Sequence, residues 1–359
     1  PLPQYGRSAM SKRIEIFCGT GGVGKTTLAT ARALQLATCG KKILLITIDP
    51  AKRLKEVLSL PDDDSGQVHR VPAQQFKEFC GEREIHLDAL LMSPKSTMER
   101  MGKEQGTLED LDNPIIKILT RPNGGMNEIM ATIEVQHYLK SGDYDLIILD
   151  TPPGKHFIDF LVSSKKINSF FDKTFIEIFK YVGKSIGKSE KTGLFQMVVS
   201  SGVKKLLSYL GKVTGADFVD TFIDAIIGLY KTKDSFLEAL RFQENLKIKE
   251  FSNWFLVTSV EQQKMEEAQE MREGALQFMH SDSYLGVNKC LGPHLSDWNP
   301  SSREQQTLKD SMRDRENRLK EAAGKSFDKV LEFPVVLGAS PNQHVIELAR
   351  AFQDYDPPV

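Results

Sequence analysis

The chain has 359 residues, 47 Lys and Arg against 48 Asp and Glu, and a formal net charge of −1. That balance lacks the basic excess of a nucleic-acid binder. Its four cysteines, with no C-x-x-C pair, argue against a disulfide framework or a zinc knuckle. The scattered cysteines fit a reducing cytosol, no apolar run approaches bilayer-spanning length, and the length allows one large α/β domain or two modest ones.

Pro1 to Ala9 precede Met10 and read as an expression remnant, which leaves residues 1–10 outside the fold. The first informative stretch is Ile14-Glu-Ile-Phe-Cys-Gly-Thr-Gly-Gly-Val-Gly-Lys-Thr-Thr27, a short strand running into a glycine-rich loop. Gly19, Gly24, Lys25 and Thr26 satisfy the phosphate-loop spacing, in the strand–loop–helix order that it requires. Each residue type has a job. Glycines accept positive φ and let backbone N–H groups close around phosphate oxygens. Lys25 brings a point charge to the terminal phosphates, and the Thr26 hydroxyl is suited to ligating Mg²⁺. The Ala- and Leu-rich helix that follows points its positive end at the anion. The nucleotide phosphates are therefore expected on Gly21, Gly22, Val23, Gly24, Lys25, Thr26 and Thr27.

Lys42-Ile-Leu-Leu-Ile-Thr-Ile-Asp49 and Asp143-Tyr-Asp-Leu-Ile-Ile-Leu-Asp150 are continuous apolar runs, as parallel strands covered on both faces should be. Each ends in a carboxylate. Asp150 sits where a Walker B carboxylate holds Mg²⁺, and Asp49 sits where a carboxylate reaches the γ-phosphate side and orients an attacking water. Either Asp also fits a plain helix N-cap. Later strands are expected at Phe251–Thr258, Ser283–Asn288 and Val330–Val336, with a charged helix after Thr258. Strands alternating with helices imply an open, mostly parallel sheet that binds ligands at its carboxyl ends.

Two stretches break this rhythm. Residues 61–136 read as a second, smaller insertion, rich in Met and charge. Residues from about 157 to 246 carry amphipathic stripes at helical spacing, one through Ile167, Phe171, Phe175, Ile178, Phe179 and Val182. A second runs through Val219, Phe222, Ile223, Ile226, Ile227 and Tyr230. The predicted organisation is a P-loop NTPase domain from 11–156 and 247–359, with a helical subdomain at 157–246 inserted in it. Such stripes are most often core. Here the density of Phe, Ile and Leu, with Met197, Val198 and Val199, also fits a groove for an apolar helix or a membrane-facing surface.

Gly19-Thr-Gly-Gly-Val-Gly-Lys-Thr-Thr27, Thr47-Ile-Asp-Pro-Ala51 and Asp150-Thr-Pro-Pro-Gly-Lys-His156 together resemble the arsenical-pump (ArsA-type) and tail-anchored-protein-targeting ATPase family. Val257-Thr-Ser-Val-Glu261 and Gly286-Val-Asn-Lys289 are similar to its later motifs. The resemblance implies a first switch at Asp49–Leu54 with Asp49 placing the water, a second switch at Asp150–His156, and Asn288 on adenine. Asn288-Lys289 also resembles the guanine-reading N-K-x-D motif, but Leu291 stands where the base-reading Asp belongs, which favours adenine. The alternative for Asn288 is a plain strand-ending turn. The resemblance further implies an ATP- and Mg²⁺-driven dimer whose closure rearranges a helical client- or partner-binding surface.

One departure bears on rate. The family carries a second lysine directly after the first glycine, where this chain has Thr20. The resemblance gives that lysine a role across the dimer, so hydrolysis is expected to be slow. Two readings stay open: an ATPase acting as a homodimer, and a nucleotide-gated subunit of little turnover that pairs with a homologous ATPase or a membrane partner.

Overall fold

The computed structural model describes residues 12–48, 52–58, 60, 66–121, 127–162, 212, 216–327, 329–338, 340–353 and 355. The chain forms two compact units. The first takes in residues up to 92, 137–161 and from 243 onward; the second takes in 93–136 and 162–242.

The chain opens with β1 (Ile14–Gly19), α1 (Lys25–Thr38), β2 (Lys42–Thr47) and α2 (Lys52–Leu58). β3 (Val68–Arg70), α3 (Lys77–Cys80) and β4 (His86–Leu91) follow, then α4 (Pro94–Gln105), α5 (Leu108–Leu111), α6 (Pro114–Leu119) and α7 (Asn127–Ser141). Next come β5 (Leu146–Asp150), α8 (Lys155–Leu161), α9 (Ala216–Lys231), α10 (Lys233–Asn245), β6 (Ser252–Ser259) and α11 (Gln262–Ala275). The chain ends with β7 (Tyr284–Cys290), α12 (Gly292–Asp297), α13 (Arg303–Gly324), β8 (Lys329–Pro334) and α14 (Pro341–Gln353).

All the strands join one sheet in the order β3-β4-β2-β5-β1-β6-β7-β8. Every pairing is parallel except β3 with β4. This is the α/β P-loop architecture that the alternating strands and helices foretell. From the central β1 the chain first builds outward through β2 and β4, and later through β6, β7 and β8 on the other side. The order thus reverses beside β1, and such a reversal opens a crevice at the carboxyl ends of the strands.

β1, β5 and β6 are buried along their whole lengths, as strands covered on both faces must be. On one face Phe17 stacks on Phe255 at 4.6 Å, Phe255 on Tyr284 at 5.0 Å, and Phe352 of α14 meets Phe17 and Phe255 edge-on. On the other, Trp254 packs against Phe157 of α8 and donates its indole N–H to the Leu246 carbonyl at 3.1 Å. These layers hold β1 still and so fix where its loop begins.

The short antiparallel β3 and the six-residue β4 escape a reading of 61–136 as an insertion. His86-Leu-Asp-Ala-Leu-Leu91 has no β-branched or aromatic residue, so its propensity is poor. It is a strand because it pairs with β2 from Lys42↔His86 to Thr47↔Leu91 and with β3 on its other edge.

The second unit, among its described residues, is helical. Ser93 caps α4 by accepting from the Ser96 N–H, and Asn113 caps α6 at Ile115 while donating to the Thr221 carbonyl of α9 at 2.9 Å. On α9, Ala225, Ile226 and Leu229 are buried. Gly228 admits the α5 backbone so closely that a Cβ would lie 2.5 Å from the Asp110 carbonyl oxygen. The second predicted stripe thus contributes at least Ile226 to ordinary core. The stripe from Ile167 to Val182 and the Met197–Val199 stretch lie outside the described residues. Among the described residues no helix is long and apolar enough to cross a membrane.

Candidate functional site

At the carboxyl end of β1 the backbone of Gly19 runs against β6. A Cβ there would lie 2.4 Å from the Val257 carbonyl oxygen, so only glycine keeps the Gly19↔Val257 register. The loop then turns through Gly22 at φ 79° and Gly24 at φ 88°, a left-handed conformation that favours glycine. Gly21 and Gly22 are exposed, Val23 is buried, and Thr26 and Thr27 are half-buried on the first turn of α1. The Leu28 N–H bonds back to the Gly24 carbonyl and starts the helix. The Thr27 side chain has no part in the polar cluster described next.

That cluster is centred on Asp150, the last residue of β5 and 1% exposed. Lys25 Nζ is 2.7 Å from Asp150 Oδ1 and also donates to the Thr151 carbonyl. Thr26 Oγ1 donates to Asp150 Oδ2 at 2.8 Å, and Thr47 Oγ1, from the end of β2, donates to the same oxygen at 3.0 Å. β1, β2 and β5 are adjacent in the sheet, so their ends bring these groups together. A carboxylate flanked by two hydroxyls offers only oxygen donors, a set suited to a hard divalent cation such as Mg²⁺. The Lys25 ammonium at its edge can meet anionic oxygens. The residues present fit a metal–triphosphate.

The segment after Asp150 is pinned to β1 as well. Thr151 Oγ1 donates to the Phe17 carbonyl at 2.8 Å, and the Gly154 N–H donates to the Gly19 carbonyl at 3.2 Å. His156, on α8, is exposed. Asp49, expected to place the water, lies outside the described residues, although Ile48 before it donates its N–H to the Asp150 carbonyl.

Asn288 is 5% exposed at the carboxyl end of β7. Its Nδ2 donates to the Val23 carbonyl at 2.8 Å, and its Oδ1 accepts from the Lys289 N–H at 2.9 Å. The neighbouring Lys289 reaches the Gly22 carbonyl with Nζ at 2.9 Å. Thr20 is only 4% exposed, and its hydroxyl has no hydrogen-bond partner among the described residues.

The cysteines offer no second centre. Burial pushes the Cys18 thiol and the Cys290 thiol each up to about 12. Among the described residues one group of thiol and carboxylate ligands lies within mutual reach of a metal: Cys290, Glu316 and Glu332. A lysine already serves it, since Lys320 Nζ lies 2.9 Å from Glu316 and 2.7 Å from Glu332. Glu316 also accepts the Leu291 and Gly292 N–H groups.

A phosphate-type loop whose lysine and threonine converge on one buried strand-end carboxylate is the arrangement expected of a P-loop NTPase. Residues 12–314 match the family model for anion-transporting ATPases. The chain belongs to that family. Among curated relatives, ATPase GET3 of Malassezia globosa is 29% identical over 211 residues, covering 58% of this chain and 58% of its own length. Putative arsenical pump-driving ATPase 1 of Aquifex aeolicus is 27% identical over 168 residues, covering 45% of this chain and 41% of its own. ATPase get3 of Schizosaccharomyces pombe is 30% identical over 146 residues, covering 40% of each. The chain thus spans about two to three fifths of the length of these relatives.

Two residues of the site, Thr47 in the polar cluster and Lys289 behind the loop, escape sequence reasoning. In the sequence Thr47 is one residue of Thr47-Ile-Asp-Pro-Ala51 with no role implied, and Lys289 is simply the residue after Asn288. Their partners lie 103 and 267 residues away in the chain, so no local pattern announces either contact.

Proposed function

We propose that this protein binds Mg–ATP on the Gly21–Thr27 loop and hydrolyses it, using the cycle to open and close a dimer and a helical client- or partner-binding surface. The observation that carries the reading is the convergence of Lys25, Thr26 and Thr47 on Asp150 beside a glycine-rich turn. In this reading Lys25 bears on the terminal phosphates and Thr26 with Asp150 holds Mg²⁺. Asp49 orients the lytic water, and Asn288 borders the adenine. The dimer, as homodimer or with a homologous ATPase, and the apolar-helix or membrane client belong to the same proposal. So does a reducing, cytoplasmic setting, which four free cysteines support. The names of the relatives, ATPase GET3 among them, support ATP as the nucleotide.

Steady-state ATPase measurement on the pure protein, alone and with lipid or an apolar helical peptide, tests the reading. Asp49→Asn is expected to keep ATP affinity within about threefold and to lower turnover by roughly 10² or more, the scale of a lost proton-accepting group. Loss of binding in that variant, with no separate effect on turnover, would assign Asp49 to structure or to the metal instead.

The alternative, a nucleotide-gated subunit with little turnover of its own, is favoured by one observation. Thr20 is a buried hydroxyl where a cation would be needed to reach a partner's phosphates. Intrinsic hydrolysis should then be slow. Thr20→Lys is expected to raise turnover, or nucleotide-dependent dimer mass in light scattering, because its ammonium cannot stay uncompensated in so buried a place and must turn outward. A folded Thr20→Lys protein with unchanged rate and mass would mean that two such sites do not face each other.

A further inference from the structure

A phosphate loop works by pointing consecutive backbone N–H groups inward. Because each peptide is planar and trans, the carbonyl of one residue points opposite to the N–H of the next. The Gly22 carbonyl shares a plane with the Val23 N–H, and the Val23 carbonyl shares a plane with the Gly24 N–H. Whatever holds those two carbonyls from behind therefore aims those two N–H groups.

Both carbonyls are held, and by adjacent residues of one strand end. Lys289 Nζ donates to the Gly22 oxygen at 2.9 Å and Asn288 Nδ2 donates to the Val23 oxygen at 2.8 Å. The fit is close on the next residue too, since a Cβ at Gly24 would lie 2.4 Å from Asn288 Nδ2. The backbone beneath is shaped for this. Lys289 is the non-glycine residue with positive φ among those described, at 61°. A residue with a Cβ rarely adopts this left-handed conformation, so the surroundings must enforce it. The Lys289 N–H is tied to Asn288 Oδ1, and the pairing of β7 with β8 slips its register between Val287 and Cys290. Such irregularities re-aim side chains at strand ends.

We propose that Asn288 and Lys289 form a brace that positions the phosphate loop from behind, with Lys289 acting as a positioning residue that touches no nucleotide. This rests on the nucleotide reading of the loop and goes beyond it by separating base recognition from loop preorganisation. If the brace acts on the loop, its loss weakens any ligand with the same phosphate chain equally, whether or not that ligand carries a base.

The experiment compares Mg–ATP with inorganic tripolyphosphate by calorimetric titration of the full chain, as wild type, Lys289→Met and Lys289→Arg. Lys289 is exposed, so the folded state is expected to survive the change, which thermal melting checks. The expected result is an affinity loss of about tenfold for both ligands in Lys289→Met, at an unchanged melting temperature. This is the scale of one charge-assisted hydrogen bond. Recovery to within about threefold is expected in Lys289→Arg, which keeps a cationic donor. Unchanged affinity for both ligands in Lys289→Met overturns the brace, and so does a loss confined to ATP, which would mark a base contact. Wild-type protein that binds neither ligand overturns the nucleotide reading itself, and the brace with it.

Discussion

Arg32→Met is expected to lower stability by about 3–5 kcal/mol, the cost of removing one partner from a buried ion pair. Arg32 lies on α1 and is fully buried. Its Nε and Nη2 grip the two carboxylate oxygens of Glu15 on β1 at 2.9 Å each, and Nη1 donates to Gln35 Oε1 at 2.9 Å. Asn253 Nδ2 on β6 adds a bond to Glu15 Oε1 at 3.0 Å, and the guanidinium lies 5.6 Å from the Phe352 ring centroid. The network thus ties α1 to β1, β6 and α14. Met fills much the same volume but leaves the Glu15 carboxylate buried with one amide to answer it. The measurement is the denaturation midpoint of the single variant beside Glu15→Leu/Arg32→Met. The double variant should regain most of the loss, because a paired apolar replacement removes both desolvation penalties. A single variant within about 1 kcal/mol of wild type would mean that water or a neighbour already relieves Glu15.

That network shows where a sequence stops being readable. An Arg and a Glu 17 residues apart give no signal that they pair in the core. The signal for β1, the glycine loop and α1 is local, because strand, turn and helix each leave a periodicity or a residue type within a few positions. Asp150 was legible for the same reason, as the polar end of an apolar run. β4 was not, because its strand character comes from its neighbours β2 and β3 rather than from His86-Leu-Asp-Ala-Leu-Leu91 itself. Asn288 was noticed through a motif, yet its hydrogen bond to Val23 depends on β7 lying two strands from β1, a fact of sheet order alone. At Thr20 the sequence shows only a hydroxyl directly after the first glycine of the loop. Its burial follows from the fold around β1 and could not be seen from the substitution.

The other large effect is expected at Lys25, where replacement by Ala should weaken ATP binding by at least tenfold. A charge-assisted contact to phosphate is worth roughly 1.5–3 kcal/mol. The local geometry makes this more than the loss of one contact. Lys25 Nζ also neutralises Asp150, which is almost wholly buried and, among the described residues, otherwise accepts from the Thr26 and Thr47 hydroxyls. Without the ammonium, an unbalanced carboxylate remains where triphosphate must enter, so repulsion adds to the lost attraction. The companion variant Asp150→Asn separates the two effects. It keeps the shape and removes the charge that would hold the cation, so its loss should appear with Mg²⁺ present and shrink when Mg²⁺ is chelated. Lys25→Ala should be weak under both conditions. Titrating ATP into wild type and both variants, with and without Mg²⁺, reads all of this in one series. Equal ATP affinity in wild type and Lys25→Ala would remove the loop from nucleotide binding, whatever its spacing suggests. A Lys25→Ala defect that vanished on chelating Mg²⁺ would instead make the lysine a partner of the metal-bound carboxylate rather than of the phosphates.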